Sequence, residues 1–396
     1  MKTNWQTRKL GEVCDIFNGN SINAKIKKEK YFGIESGYPF IATKDVGFTN
    51  KIDYENGVKI PKNDSKFKTS KINSVLICAE GGSAGRKIGF TEKEVCFGNK
   101  LFSIHSEKQD NKFIYYFCFT NYFQKEFKKS LTGIIGGVSL KKFKDIIIQL
   151  PPLPEQHRIV KILDEVFADM AKAKENAEKN LQNAKELFES YLQSVFANPG
   201  KDWEEKTLKE ITSLLGDGLH GTPKYTVNGE YYFINGNNLN NGNIIFKENT
   251  KRVSVEEYYK YKKNLNDRTI LVSINGTLCN VAFFNNEKII LGKSACYFNL
   301  LDGIDKNFIK YVILSPYFIK YAFKEATGAT IKNVSLKTMR EFKIYLPGLK
   351  EQKSIVAKLD ALSAETKKLE AIYRQKLADL EELKKSVLKK AFGGEL

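Results

Sequence analysis

The sequence predicts an α+β protein in which two mixed α/β globular copies are connected by two long helices that pack on each other. Three observations predict this fold class. The second half of the 396-residue chain repeats the first half, each copy closes with an extended heptad pattern, and short strand-like and helical runs alternate elsewhere. The chain is 42% hydrophobic, which supplies a core for two or three domains and excludes a wholly disordered protein.

The internal repeat is clearest at the end of each globular copy. Residues 150–164 read LPPLPEQHRIVKILD and residues 346–360 read LPGLKEQKSIVAKLD, with 9 of 15 positions identical. Trp5 and Trp203 open the two copies at a slightly different spacing, which indicates insertions and deletions in surface loops. We therefore expect four segments, namely globular residues 1–150, helical residues 151–200, globular residues 201–350 and helical residues 351–396.

Each helical segment follows a proline-bearing turn and carries an apolar heptad stripe, so the two helices should bury their stripes against each other. A helix over either segment is a rod of roughly 60 Å at 1.5 Å per residue, which favours a spacer over a helical hairpin inside a globular core. Asn180 and Lys376 are polar within the stripe, where they either fix the register or face solvent. The heptad positions are Ile159, Leu163, Val166, Met170, Ala173, Ala177, Asn180, Ala184, Leu187 and Tyr191 in the first helix, and Ile355, Leu359, Leu362, Thr366, Leu369, Tyr373, Lys376, Leu380, Leu383 and Val387 in the second.

The globular copies contain short β-branched and aromatic runs bounded by Gly, Asn and Asp, together with longer runs of helical composition. The strand-like runs are residues 74–78, 87–90, 270–274, 280–284 and 288–291. The helical runs are residues 112–130 and 307–326.

The charge distribution points to a polyanionic partner. Lys and Arg number 64 against 46 Asp and Glu, a net charge of +18, and the excess lies in the globular copies at +11 and +7. The helical segments are close to neutral, at −2 and +2. A membrane-binding protein would carry its basic residues along one face of an amphipathic helix, so the pattern favours DNA over an anionic membrane.

The remaining composition predicts a cytoplasmic protein with reduced thiols. No apolar run approaches the roughly 20 residues of a membrane-spanning helix, and the N-terminal residues lack the apolar core of a signal peptide. The six cysteines lack any CxxC pair, which favours buried free thiols over a zinc site. They are Cys14, Cys78, Cys96, Cys118, Cys279 and Cys296.

Candidate DNA contacts lie in basic, glycine-rich or asparagine-rich loops, because Lys and Arg contact phosphates while Arg and Asn read base edges. Ordinary solvated turns are the alternative for each of them. Residues 130–137 and 326–333 occupy the same place in the two copies, so contacts there would be related by symmetry, and Lys332 is the most explicit candidate. The candidates are Lys25, Lys27, Lys28, Lys44, Gly81, Ser83, Arg86, Lys87 and Thr132 in the first copy, and His220, Thr222, Lys224, Asn235, Asn237, Asn238, Thr330, Lys332 and Asn333 in the second.

Catalytic motifs are not found in the sequence. Residues 292–294 read GKS like the end of a P-loop, but Glu287 stands where the first glycine is required. The motifs of adenine methyltransferases are absent, and His105, His157 and His220 are too dispersed for a metal cluster. Duplicated binding units without a duplicated catalytic constellation indicate a DNA reader with no catalytic residues and no metal of its own.

The sequence resembles the specificity subunits of type I restriction-modification enzymes over its whole length. The resemblance rests on LPxLxEQxxIV after each copy, WxxxxL near the start of each, and DGLHGTP at residues 217–223. One departure is that the first copy has only NGNS, at residues 18–21, in place of DGLHGTP, so the roles of His220 and Thr222 as contacts carry over to the second copy only.

The resemblance implies an architecture and a set of partners. Residues 1–150 and 201–350 would be target recognition domains that each read one half of an asymmetric bipartite site on double-stranded DNA. The helices over 151–200 and 351–396 would pack as an antiparallel coiled coil that sets the spacer, giving an internal pseudo-two-fold repeat. Two methylation subunits would modify adenine at N6 and two restriction subunits would cleave, so S-adenosylmethionine, ATP and Mg²⁺ would belong to those partners. Residues of the repeated motif would form the spacer and dock the methylation subunits, namely Glu155, Gln156, Ile159, Leu163, Glu351, Gln352, Ile355 and Leu359.

Other functions stay open at this point. The chain could serve a methyltransferase that lacks restriction activity, or it could be an architectural DNA-binding protein without sequence preference. A stand-alone nuclease would instead cleave DNA with divalent metal and no partner.

Overall fold

The computed structural model describes residues 4–133 and 136–396. The chain forms two compact units. Unit 1 comprises Met1–Ala177 with Gln375–Leu396, and unit 2 comprises Glu178–Arg374. Both boundaries fall inside long helices, so each unit contains one globular copy and parts of both helices.

Unit 1 contains short strands arranged in three sheets. The sheet orders are β2-β9-β6-β7, which is antiparallel, β4-β3-β8-β5, in which β3 and β8 are parallel, and the antiparallel pair β1-β10. The strands are β1 (Gln6–Lys9), β2 (Asp15–Asn18), β3 (Tyr38–Ile41), β4 (Lys59–Ile60), β5 (Thr69–Ser70), β6 (Val75–Cys78), β7 (Ile88–Phe90), β8 (Val95–Phe97), β9 (Leu101–His105) and β10 (Ile147–Leu150).

The helices of unit 1 are short up to residue 152. They are α1 (Leu10–Val13), α2 (Ala24–Ile26) followed by a π-helical turn (Lys27–Tyr31), α3 (Asn111–Phe117), α4 (Asn121–Lys129) and α5 (Leu140–Lys144). The first long helix, α6, covers Leu153–Ala197 and continues into unit 2.

Unit 2 has a related arrangement with four sheets in place of three. Its strands are β11 (Glu204–Thr207), β12 (Thr212–Asp217), β13 (Tyr231–Ile234), β14 (Leu239–Asn240), β15 (Asn243–Ile244), β16 (Arg252–Val253), β17 (Thr269–Ser273), β18 (Val281–Phe283), β19 (Ile289–Leu291), β20 (Ala295–Leu300) and β21 (Lys343–Leu346). Its helices are a 3₁₀ turn (Gly236–Asn238), α7 (Val255–Tyr261), α8 (Lys306–Leu314), α9 (Pro316–Glu325), α10 (Leu336–Glu341) and the long α11 (Leu349–Gly393), which continues into unit 1.

The internal repeat predicted from the sequence is confirmed by the sheet orders. The order β12-β20-β17-β18 matches β2-β9-β6-β7, and the pair β11-β21 matches β1-β10. The five predicted strand-like runs coincide with β6, β7, β17, β18 and β19 to within a residue or two.

The core of unit 1 is closed by the end of α11. Leu388 and Ala391 are buried together with Ile159 and Leu163 of α6, and the Phe392 ring lies 4.7 Å from that of Phe113 in α3. The first turns of α6 thus pack against the last turns of α11. The two helices are therefore antiparallel in this unit, as the resemblance implied.

The core of unit 2 is closed in the equivalent way by the end of α6. Leu192 and Phe196 are buried together with Leu359 of α11, and the Phe196 ring lies 5.4 Å from that of Phe308 in α8. Each globular copy therefore completes its core with the last turns of the helix that follows the other copy.

The predicted heptad frame holds only in part. Ala177 and Ala184 are buried and Leu380 and Val387 are partly buried, whereas Leu187, Tyr191, Leu369 and Leu383 are exposed, and Lys376 faces solvent. At the exposed positions the next residue along the helix is the more buried one, because an α-helix of 3.6 residues per turn drifts from a 3.5-residue repeat. The residues that take over are Phe188 and Leu192 in α6, and Leu377, Lys384 and Ala391 in α11.

The helical runs predicted over residues 112–130 and 307–326 each contain two helices. Thr120 ends the first half and caps α4 by accepting the amide of Phe123, and Ser315 caps α9 by accepting the amide of Phe318. Pro316 at the first position of α9 also cannot continue the preceding helix. The chain therefore turns at the same place in both copies, and the paired helices pack against the sheet.

All six cysteines are free and buried, as the sequence predicted. Burial raises the pKa of the Cys14 and Cys279 thiols to about 12 and that of Cys96 to about 11, and it also raises the pKa of Cys78, Cys118 and Cys296.

Because thiolate is the reactive form, we expect the folded chain at pH 8 to react very slowly with Ellman's reagent. In guanidinium chloride all six thiols should react at once. Rapid release of even one equivalent from the folded chain would contradict this expectation, and the absorbance of the released thiolate measures it.

Candidate nucleic-acid interface

The glycine loop of unit 1, residues 80–87, follows β6. Gly81 has a φ of +84°, and no atom lies within 4 Å of where a Cβ would be, so the loop is open on that side. Five of its eight backbone amides are used internally, however. Gly81 N–H donates to Gly136 O at 2.8 Å, and the amides of residues 84–87 donate to carbonyls of the loop or of Cys78. A phosphate at this loop would therefore be met mainly by side chains.

A short ribbon, of which residues 132, 133, 136 and 137 are described, lies against the glycine loop. Thr132 and Gly137 exchange two backbone hydrogen bonds of 2.9 and 3.0 Å, and Glu80 forms a β-bridge with Gly137. Residues 134 and 135 of the predicted contact segment lie outside the described residues. The fold thus brings Thr132 and the glycine loop together.

Unit 2 contains the same junction with different side chains. Thr327 and Asn333 exchange two hydrogen bonds of 2.9 Å, and Gly276 N–H donates to Lys332 O at 2.9 Å. Lys332 therefore stands where unit 1 has Gly136. Thr330 and Lys332 are exposed, whereas the Asn333 side chain accepts a hydrogen bond of 3.1 Å from Asn275.

Four of the predicted basic contacts of unit 1 lie around the loop that follows β3, namely Lys27, Lys44, Arg86 and Lys87. Lys87 Nζ donates to Thr43 O at 2.9 Å, and the Arg86 side chain is exposed beside it. Lys27 Nζ lies 5.0 Å from the centre of the Phe40 ring. Burial lowers the pKa of Lys27, Asp45 opposes that shift, and the charge of Lys44 adds to it.

These segments form one basic surface. The basic segment (residues 25–30), the loop at 43–45, the glycine loop and the ribbon carry seven basic side chains against three acidic ones. Lys25, Lys28 and Lys44 are exposed, whereas Gly81 and Ser83 are partly buried. A surface of this charge is suited to a phosphate backbone.

In unit 2, the loop after β12 carries the predicted contacts His220, Thr222 and Lys224, all of them exposed. His220 Nε2 lies 2.6 Å from Asp217 Oδ2, so the aspartate orients the imidazole. Lys224 is positioned through its backbone amide, which donates to Glu257 Oε2 at 3.0 Å.

One glycine explains why NGNS in the first copy is the counterpart of DGLHGTP. A Cβ on Gly218 would lie 2.2 Å from Leu291 O, and a Cβ on Gly19 would lie 1.9 Å from Phe97 O. Both segments therefore cross the adjoining strand so closely that only glycine fits. The polar residues after this glycine differ between the copies.

The asparagine turn at residues 235–238 is largely used inside the unit. Asn238 is buried, accepts the Asn235 amide at 3.0 Å and donates to Ile245 O at 3.0 Å. Asn235 Oδ1 accepts from Ser294 Oγ at 3.0 Å. Asn237 has an exposed side chain and is the member of this turn that the fold leaves available.

Lys293 is a candidate that the sequence analysis missed. Its backbone amide donates to Leu219 O at 3.0 Å, so it lies beside the His220 loop, and Ser294 next to it holds the asparagine turn. Its side chain is exposed. In the sequence, Lys293 could have been found from the GKS run at residues 292–294. This run does not form a P-loop, and it places Lys293 between the His220 loop and the asparagine turn.

Most of the predicted docking residues are buried in their own unit. Gln156, Ile159, Leu163, Gln352 and Leu359 are at most 1% exposed, and Ile355 is partly buried. Glu155 forms an ion pair with Arg158, with two contacts of 2.7 Å, and Glu351 accepts from Trp203 Nε1 at 3.1 Å. Five of the eight residues therefore lie in the interior of their unit. Their role in docking the methylation subunits stays a prediction.

The repeated glutamine has the same environment in both units. Gln156 accepts the Asp110 amide at 3.0 Å and donates to Pro151 O at 2.8 Å. Gln352 accepts the Asp305 amide at 2.8 Å and donates to Pro347 O at 2.8 Å. Since Asp110 and Asp305 cap α3 and α8, each glutamine ties the start of a long helix to the helical layer of its unit.

The last residue of the repeated motif binds a tyrosine that the sequence analysis did not identify. Tyr116 donates to Asp164 in unit 1, and Tyr311 donates to Asp360 in unit 2. Burial raises the pKa of both tyrosines, and the aspartate that accepts each hydroxyl raises it further. A careful alignment of the two globular copies would have shown that these tyrosines correspond.

Within the described ranges, no group of three or more His, Cys, Asp or Glu residues is placed to hold a metal ion. The helices in the same ranges include none with the length and apolar character needed to cross a membrane.

Two units of one fold, each presenting a loop cluster on the same framework, define a protein with two related recognition units. Residues 2–180 and 200–379 each match the model of the type I restriction modification DNA specificity domain. The chain therefore belongs to the type I restriction-modification DNA specificity family and is the DNA-recognition component of such a system.

Known relatives and solved structures agree with this family. The chain is 24% identical over 417 residues to the type I restriction enzyme MjaVIII specificity subunit of Methanocaldococcus jannaschii, covering 99% of this chain and 93% of the relative. It is 21% identical to the EcoBI specificity subunit of Escherichia coli, over 99% and 86% of the two chains. The HsdS subunit from Thermoanaerobacter tengcongensis shares the fold at a TM-score of 0.62 and 18% identity, covering 100% and 98%. A chain from a structure of type I R-M complex assembly has a TM-score of 0.80 at 17% identity, covering 100% and 99%.

Proposed function

We propose that each unit reads one half of an asymmetric bipartite sequence on double-stranded DNA, and that the long helices dock two methylation subunits that modify adenine at N6. In the full cytoplasmic complex two restriction subunits join, and S-adenosylmethionine, ATP and Mg²⁺ are bound by these partners. The chain itself performs no chemical step.

The observation that carries this proposal is a shared framework with different side chains. Gly81 and Gly276 bind the adjoining ribbon through the same hydrogen bond, yet the ribbon residue is Gly136 in unit 1 and Lys332 in unit 2. Side chains in loops read base edges, whereas the framework positions them on the phosphate backbone. Two units that differ at such positions would therefore select different bases.

The chemistry of recognition follows from the surface. Lysines and arginines neutralise phosphates and fix the register, and side chains such as Asn237 and His220 reach base edges in a groove. The target adenine must leave the stack to react, so it would be flipped into the active site of a methylation subunit.

A selection from random duplex DNA tests the proposal. The chain is assembled with its methylation subunits and S-adenosylmethionine, and the methylated molecules are sequenced. Two different specific runs separated by a fixed unspecific gap are expected. A single run, or methylation without sequence preference, would refute the bipartite reading, and the chain without partners is the control that should methylate nothing. Cleavage on addition of restriction subunits and ATP separates the full restriction system from a methyltransferase alone.

Substituting Lys332 by Ala should weaken binding of the assembled complex to its selected duplex. The expected loss is about 1–3 kcal/mol if the ammonium group reads a base, or a salt slope lower by about one unit if it contacts a phosphate. Fluorescence anisotropy over a series of salt concentrations measures both quantities.

The control is Lys337→Ala. This lysine is also exposed, but it lies on α10 and pairs with Glu341 at 3.8 Å. Equal behaviour of the two variants would remove Lys332 from the interface.

A further inference from the structure

Phe48 is an exposed aromatic residue at the tip of a tight turn in unit 1. The turn is closed by a β-bridge between Val46 and Ile52 and by a hydrogen bond of 2.9 Å from Gly47 N–H to Lys51 O. Val46 is buried, whereas Phe48 is 58% exposed. The backbone is thus held while the ring projects toward solvent.

Two cations of the glycine loop hold this ring in place. The Arg86 guanidinium carbon lies 5.0 Å and the Lys87 Nζ 5.1 Å from the ring centre. Lys87 is itself anchored on Thr43 O, at the start of the same turn. An aromatic face beside positive charge is the combination with which proteins stack on bases while holding the adjacent phosphates.

The equivalent turn of unit 2 lacks the aromatic residue. There Leu239 pairs with Ile244, as Val46 pairs with Ile52, but a two-residue turn of Asn241 and Gly242 connects them. Asn241 and Gly242 adopt φ values of +44° and +94°. The projecting ring is therefore a property of unit 1, on a turn that both units share.

We propose that the Phe48 ring inserts into the half-site bound by unit 1 and stacks on one of its bases, while Arg86 and Lys87 contact the neighbouring phosphates. This inference rests on the function proposed above and adds a specificity-determining residue to it. Apolar side chains that enter a duplex unstack one base step, and pyrimidine–purine steps unstack at the lowest cost. The half-site of unit 1 should therefore contain such a step, and the half-site of unit 2 has no such requirement.

The test uses the complex with its methylation subunits and the duplex chosen by selection. Phe48→Ala should weaken binding about 5- to 150-fold, the range of base–aromatic stacking, and leave the salt slope unchanged because no charge is removed. Arg86→Ala should lower the salt slope by about one unit. Phe48→Tyr keeps the ring and should restore most of the affinity.

Ile72→Ala is the matched control. Ile72 is 50% exposed and precedes β6, whereas the glycine loop follows the same strand, so the two lie at opposite ends of it. This variant should bind like wild type, and thermal unfolding should show that every variant is folded.

The outcomes separate the two proposals. A wild-type complex without sequence preference would overturn the proposed function. A wild-type complex with clear preference, together with Phe48→Ala binding within twofold of it, would overturn the role of Phe48 alone. A change in salt slope for Phe48→Ala would also overturn stacking, since it would show that the ring acts by placing the cations.

Discussion

Leu388→Ala is expected to destabilise unit 1 by about 2–5 kcal/mol, although residue 388 follows the second globular copy in the sequence. Leu388 is 3% exposed in the structure and lies in the same core as Ile159 and Leu163. Removing its side chain leaves a cavity that the surrounding helices cannot fully close. Amides in β6 and β9 should then exchange faster with solvent.

The matched variant is Leu192→Ala, which removes the residue at the corresponding position of α6. Leu192 is 2% exposed in the core of unit 2, so amides in β17 and β20 should exchange faster while unit 1 is unaffected. Hydrogen exchange of the full chain is the suitable measurement, because a protein of two units need not unfold in one step. If each globular copy instead completed its core with the helix that directly follows it, Leu192→Ala would affect unit 1 and Leu388→Ala would affect unit 2.

Gln156→Leu is the second substitution with a large expected effect. It keeps most of the side-chain volume but leaves the Asp110 amide and Pro151 O buried without their partner, which costs about 1–3 kcal/mol for each group. The start of α6 should then detach from α3. We expect unit 1 to lose about 2–5 kcal/mol, measured by hydrogen exchange and by thermal unfolding.

Gln352→Leu should have the same effect in unit 2, because Gln352 makes the equivalent hydrogen bonds to Asp305 and Pro347. The control is Gln182→Leu, since Gln182 is exposed on α6 and donates to Glu186 one turn away. Its effect should stay within about 0.5 kcal/mol. A Gln156→Leu protein as stable as this control would show that the repeated glutamine is conserved between the copies for another reason.

The sequence indicated which loops form the candidate interface, but it did not indicate which of their side chains face solvent. The run at 80–87 and the segment around Lys332 were recognisable because glycine and basic residues have local signatures in loops. The same signature also selected Asn238, whose side chain the fold uses internally, and it passed over Lys293 and Phe48. Whether a polar side chain faces solvent depends on neighbours that are distant in sequence.

By itself, the sequence determined the duplication, the order of segments, five of the 21 described strands and the two long helices, because periodicity and capping residues act over a few neighbouring positions. Only the tertiary structure decided which helix completes which core. Leu192 and Phe196 recur as Leu388 and Phe392, so either helix end offers the same apolar surface to either globular copy. Local pattern cannot distinguish equivalent surfaces, and the choice falls to the packing of whole units, in which each copy buries the end of the other copy's helix.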